Sequence, residues 1–321
     1  MSERRRSAFV LTVAVLVSLA ALALLPTPFY LISPGSAVDL TERIAVEGRV
    51  PTRRHFFLTD VSVRHATVLW LAAGLWPGTR VVRRDTLIPP GTTQVDYDRL
   101  LGVAMDDSQH VAAYVAERAA GLRVPTPAPA VVIADVVPNS PAASLLRVGD
   151  QLVRVGHRAV VVPGDVSSAI KHLAPGTTAH IDLERGGRPA SVDVRTMRTD
   201  AGTRLGVFLS ARGVPVTLPV PVHFALDDVE GSSGGLMFAL AIYAELTNDR
   251  HAPEAIAGTG TIAPDGTVGP IEGTQQKVIA AKRAGARVFL VPRQNYRDIA
   301  DEPGIAVVPV ATFSEALAAL R

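Results

Sequence analysis

Two side-chain types in this sequence stand where they could do nucleophilic chemistry together. Between Asp227 and Leu246 a glycine-rich turn, Gly231-Ser232-Ser233-Gly234-Gly235, gives way to an apolar helical run. A serine at a helix N-terminus lies beside backbone N–H groups without intrahelical partners, and these favour negative charge. That is a place for a nucleophile with a built-in oxyanion site. The plainer reading is a capping serine that opens a buried helix. A hydroxyl nucleophile also needs a base. Only three of the 32 basic residues are lysines (Lys171, Lys277 and Lys282). Arginine keeps its proton near neutral pH, whereas a lysine among apolar groups can lose it. Lys277 opens a second predicted helix with Val278, Ile279, Ala280 and Ala281 as its walls. The hairpin signal at Pro264-Asp265-Gly266 folds that segment back toward Ser233. Read alone, Lys277 is equally an ordinary surface lysine. Ser233 also fits Gly-x-Ser-x-Gly, but that elbow needs an acid and then a histidine downstream. Only His251 follows, at the end of the same helix.

The rest of the composition narrows the classes. No cysteine occurs among the 321 residues, which removes disulfides, thiol nucleophiles and thiolate metal sites. His55, His65 and His110 lack ligand spacing, so no metal is expected. The formal charge is +2 and no long basic block occurs, so nucleic acid is not an expected partner. No Gly-x-x-x-x-Gly-Lys-[Ser/Thr] is present, and neither nucleotide nor any other cofactor is implied.

The elements that must position these residues follow in order. Arg4-Arg5-Arg6 precede an uncharged run from Ala8 to Leu25, closed by Pro26 and Pro28. It is long enough for a transmembrane helix, so residues 1–33 read as a basic cytoplasmic tail with an anchor in the lipid bilayer; the competing reading is a cleaved signal peptide, for which Pro26-Thr27-Pro28-Phe29-Tyr30 make a poor small-residue cleavage site. The rest of the chain would then lie outside the cytoplasm, on a single-pass membrane protein. Residues 34–125 alternate as strands, with a helix over 107–121 capped by Asp107 or Ser108. A proline-rich joint at 126–129 opens a small β-rich unit to about 198. Alternating strands and helices fill 199–321. The expected class is α+β.

Two segments resemble known families. "VVPNSPAASLLRVGDQLVRVGHRAV" is similar to the centre of a bacterial PDZ domain, and the resemblance covers 126–198. PDZ domains take peptide ends as an added strand beside a helix. Here the resemblance puts that groove between Ala130–Ala134 and the helix at 164–173, with Pro127-Ala128-Pro129 where a glycine loop usually stands. "EGSSGGLMFALAIYAELTND" and "IAGTGTIAPDGTVGPIEGTQQKVIAAKRAGARVFLVP" resemble the proteolytic domain of Lon-type peptidases over 204–321. The whole arrangement resembles the membrane-anchored, PDZ-containing Lon-like proteases of bacteria. The resemblance makes Ser233 the nucleophile, Lys277 the general base and Thr259 a residue that helps to place the lysine. Gly231, Ser232 and Gly234 form the supporting turn, which usually reads Gly-Pro-Ser-Ala-Gly. It implies ATP-independent hydrolysis of protein or peptide substrates through an acyl-enzyme, and it allows a homo-oligomer. The alternative is a PDZ adaptor whose Lon-like domain is weak or inactive.

Overall fold

A computed structural model describes residues 12–14, 17, 22–71, 74, 76–88, 92–125, 130–199, 202–212, 218–226, 229–249 and 254–320. Most of the Ala8–Leu25 run lies outside them. Where it is described, helical pieces at 12–14 and 22–23 stop short of Pro26, the first residue of strand β1 (Pro26–Asp39). Proline cannot donate to a helix, and Leu25–Pro26 is drawn into a ladder instead, with Pro26 opposite Thr67. Among the described residues no helix is long and apolar enough to cross a membrane. This corrects the expected fold: the transmembrane element is not found. The single-pass placement, with its cytoplasmic N-terminus and extracytoplasmic catalytic domain, falls with it, and bilayer contact by residues 8–25 is not supported.

β1 leads to a short β2 (Ile44–Val46) and a long β3 (His55–Thr67), which returns antiparallel to β1. β4 (Arg80–Arg83) pairs with the other edge of β1. Helix α1 (Gln94–Ala119) follows, far longer than the stretch expected at 107–121. Its true start is Thr93, whose hydroxyl accepts from the backbone of Asp96. Asp107 and Ser108 therefore sit in mid-helix, and Gly102 inside the helix had masked the continuity.

A second unit comes next. β5 (Ala130–Val136), β6 (Gln151–Val155) and β7 (Arg158–Ala159) precede helix α2 (Pro163–Ile170). β8 (Thr178–Arg185) and β9 (Arg188–Arg195) form a hairpin with Ile181 opposite Val192. β10 (Met197–Thr199) pairs with β11 (Gly202–Arg204), and β12 (Val207–Arg212) returns to β5. The sheet runs β12-β5-β6-β8-β9, with β7 on β6. Val131, Ile133, Leu152, Val166, Ile181 and Leu183 fill its separate core.

The chain then re-enters the first unit. β13 (Val222–Phe224) pairs with β2. Helix α3 (Gly235–Leu246) buries every residue except Tyr243, as its nearly all-apolar sequence requires. β14 (Ala255–Gly258) inserts parallel to β3, with Ala255 opposite His55 and Gly258 opposite Leu58. β15 (Thr261–Ile262) and β16 (Val268–Gly269) form the expected hairpin. Helix α4 (Thr274–Arg283), β17 (Val288–Pro292), β18 (Ala306–Val310) and helix α5 (Phe313–Ala319) complete the fold. The main sheet is β18-β17-β14-β3-β1-β4. It joins strands from both ends of the chain, so residues 26–67 are part of the sheet that carries the C-terminal segment. One core gathers Leu40, Phe56 and Met105 with Phe238, Ile256 and Phe313. The β5–β12 unit is thus inserted between α1 and β13 of a single larger fold.

Candidate active site

The turn before α3 is held from three sides. Gly231 has φ +89°, a conformation in which a side chain would be strained. Its N–H donates to the Leu101 carbonyl of α1 at 3.1 Å. The Ser232 carbonyl accepts from Ser108 Oγ, also on α1, at 3.1 Å. The Ser233 carbonyl accepts from Gly260 N at 2.8 Å and from Thr259 Oγ1 at 3.1 Å. A Cβ on Gly235 would lie 3.1 Å from the Ile262 backbone nitrogen and 2.9 Å from Ser108 Oγ, so only glycine lets the helix start this close to its neighbours.

The cap reading of Ser233 does not hold. α3 begins at Gly235, its N-cap is Gly234, and no side chain caps it. The Ser233 hydroxyl instead receives Lys277 Nζ at 2.6 Å. Lys277 also reaches Thr259 Oγ1 at 3.2 Å. Since the Thr259 hydroxyl gives its proton to the Ser233 carbonyl, its lone pairs face the lysine. Thr259 therefore fixes both the amine and the turn. Ser232, expected beside the nucleophile, makes no side-chain bond to Lys277.

Lys277 sits in the first turn of α4, which packs on β1 and β3. The residue is 3% exposed, and burial pushes its amine down to about 8. Asp60 on β3 opposes the shift through its negative charge. Ser36 donates to Asp60 from both its backbone N–H and its hydroxyl, which keeps that carboxylate in place. At about pH 8 roughly half the molecules hold a neutral amine against Ser233, the form that can accept a proton. Asp60→Asn removes the opposing charge. It is expected to lower the Lys277 pKa further and to move the rising limb of a kcat/KM–pH profile toward lower pH. An unmoved limb would mean that Asp60 does not set the lysine.

The inserted unit also differs from expectation in where an added strand would dock. β5 is flanked on both sides, by β12 and β6, so Ala130–Ala134 offer no free edge. The sheet ends at β12 on this side and at β9 on the other, and β12 is the terminal strand that packs against α2. The turn that leads into it is Leu205-Gly206-Val207, and Gly206 has φ +84°. A glycine turn thus stands at the start of β12. Sequence order hid this, because β12 follows the unit's other strands and reads as the start of the next domain. Residues 126–129 lie outside the described residues. Among the described residues no group of His, Asp and Glu could hold a metal ion.

Two family descriptions match parts of this chain. The description of the Lon protease (S16) C-terminal proteolytic domain matches residues 217–317, and that of the PDZ domain matches 100–196. The Lon protease of Roseiflexus castenholzii is 43% identical over 74 residues, which is 23% of this chain and 9% of that protein. The Lon protease of Campylobacter concisus is 39% identical over 94 residues, 27% of this chain and 12% of that protein. The chain thus spans about a tenth of the length of the curated relatives it matches. Among solved structures, the PDZ domain of an SdrC-like protein from Listeria monocytogenes is 22% identical and covers 25% of this chain and 85% of its own, at a TM-score of 0.24. This chain carries a PDZ domain and the C-terminal proteolytic domain of Lon proteases, a serine peptidase domain.

Proposed function

We propose that the protein is an endopeptidase that cleaves protein chains with Ser233 as nucleophile and Lys277 as general base, without nucleotide. The observation that carries this reading is the 2.6 Å contact between Lys277 Nζ and Ser233 Oγ at a buried position. Neutral Lys277 takes the Ser233 proton as Oγ attacks the scissile carbonyl carbon. The negative charge that develops on the carbonyl oxygen is received by backbone N–H groups near Ser233. Protonated Lys277 then gives its proton to the leaving amine. Water, deprotonated by the same lysine, attacks the acyl-enzyme and restores Ser233. Thr259 keeps Nζ directed at the hydroxyl. A protein segment would dock at the PDZ unit by adding along β12 beside α2.

The test is to incubate the full chain with an unfolded protein in the absence of nucleotide and follow fragments by mass spectrometry. Cleavage without nucleotide is the expected result. Binding without cleavage would replace the peptidase reading with that of a PDZ adaptor.

A further inference from the structure

Helix α1 grips the nucleophile turn at two points one heptad apart, and hence on one face. The Leu101 carbonyl accepts from Gly231 N at 3.1 Å, and Ser108 Oγ donates to the Ser232 carbonyl at 3.1 Å. Ser108 is 6% exposed in mid-helix. A serine there usually bonds back within its own helix. This one reaches across to the turn instead.

The consequence lies in the geometry of one peptide unit. The Ser232 carbonyl and the Ser233 N–H belong to the same planar trans peptide, so they point in opposite directions. Ser108 holds the carbonyl on the α1 side at 3.1 Å, and the Gly235 N–H adds a longer bond to the same oxygen at 3.4 Å. The Ser233 N–H is thereby turned away from α1, and among the described residues it forms no hydrogen bond with the protein. On the other side of Ser233, its own carbonyl is pinned by Gly260 and Thr259. Both carbonyls around the nucleophile are thus spoken for, and the N–H between them is left as a fixed donor.

Resting on the peptidase reading above, we propose that Ser108 is a positioning residue: its hydroxyl orients the Ser232–Ser233 peptide so that the Ser233 N–H faces the oxyanion of the transition state. Gly231-Ser232-Ser233-Gly234-Gly235 contains no proline, and α1 holds its backbone from outside through Leu101 and Ser108.

The test is Ser108→Ala in the full chain. Alanine is smaller and a stronger helix former, so the variant is expected to fold and melt like the wild type. Losing a fixed oxyanion donor costs about a hundredfold to a thousandfold in kcat, and a donor that is present but misdirected is expected to cost about tenfold to a hundredfold. KM should be unchanged, and affinity for a peptide boronic acid, which forms a tetrahedral adduct on the serine, should fall by the same factor as kcat/KM. The rising limb of the pH profile should stay in place, since Lys277 is untouched. Hydrogen exchange over residues 229–236 should quicken. An unchanged kcat, a loss confined to KM, or a loss explained by a lower melting temperature would overturn the proposal. Ser233→Ala run alongside separates the two ideas. Wild type no more active than Ser233→Ala sinks the peptidase reading and this inference with it. An active wild type matched by Ser108→Ala sinks the inference alone.

Discussion

Ser233→Ala is expected to lower kcat/KM for peptide cleavage by on the order of 10⁵-fold while leaving the fold intact. The side chain is small, and its removal leaves the turn's backbone bonds to Leu101, Ser108, Gly260 and Thr259 in place. Ser232 does not rescue it. Its neighbouring hydroxyl makes no bond to Lys277, and rotating the turn to bring it there would break the contacts on both flanking carbonyls. Residual activity close to that of wild type would exclude Ser233 as nucleophile. The check is steady-state cleavage of a fluorogenic peptide, with thermal melting of both proteins.

Lys277→Met should separate activity from stability in a way a surface lysine would not. Activity is expected to be lost as in Ser233→Ala, because among the described residues no other amine reaches the hydroxyl. Stability is expected to rise. The folded-state pKa of about 8 lies below the unfolded value near 10.5, so between these values the unfolded chain binds more protons. Stability of the wild type therefore increases as pH rises through that window, and below it the buried ammonium imposes its full cost. A shift of this size corresponds to about 3 kcal/mol. Methionine fills a similar volume without the charge. The variant should be more stable by about 2–3 kcal/mol at pH 7, with the advantage shrinking toward pH 10. Equal stability at both pH values, measured by denaturant unfolding, would show that the lysine is not held in a desolvated site. Such a cost is the expected signature of a group kept for chemistry rather than for the fold.

The candidate site was legible because its parts are local in type. Ser233 stands just before α3 and Lys277 in the first turn of α4, and the hairpin at Asp265-Gly266 joins their segments. What sequence could not show was Ser108, which lies 124 residues from the carbonyl it holds. In the sequence it looked like a helix cap, and only the earlier start at Thr93 moves it to mid-helix and onto the face of Leu101. The pairing of β3 with β14 was hidden for a similar reason: periodicity reports which residues are buried, not which distant strand covers them. That is why residues 34–125 read as a region apart. The edge strand of the PDZ unit was misplaced because its chain order differs from its order in the sheet. The anchor is not found: among the described residues no helix is long and apolar enough to cross a membrane, and most of the Ala8–Leu25 run lies outside them. Here the β1 ladder begins at Pro26.

Activation of Ser233 by Lys277 is open to covalent capture. The full chain would be treated with a peptidyl phosphonate that traps serine nucleophiles, digested, and mapped by mass spectrometry. A single adduct on Ser233 is expected, formed faster as pH rises through about 8 and absent in Lys277→Met. An adduct on Ser232, or an adduct on Ser233 formed equally well in Lys277→Met, would contradict it.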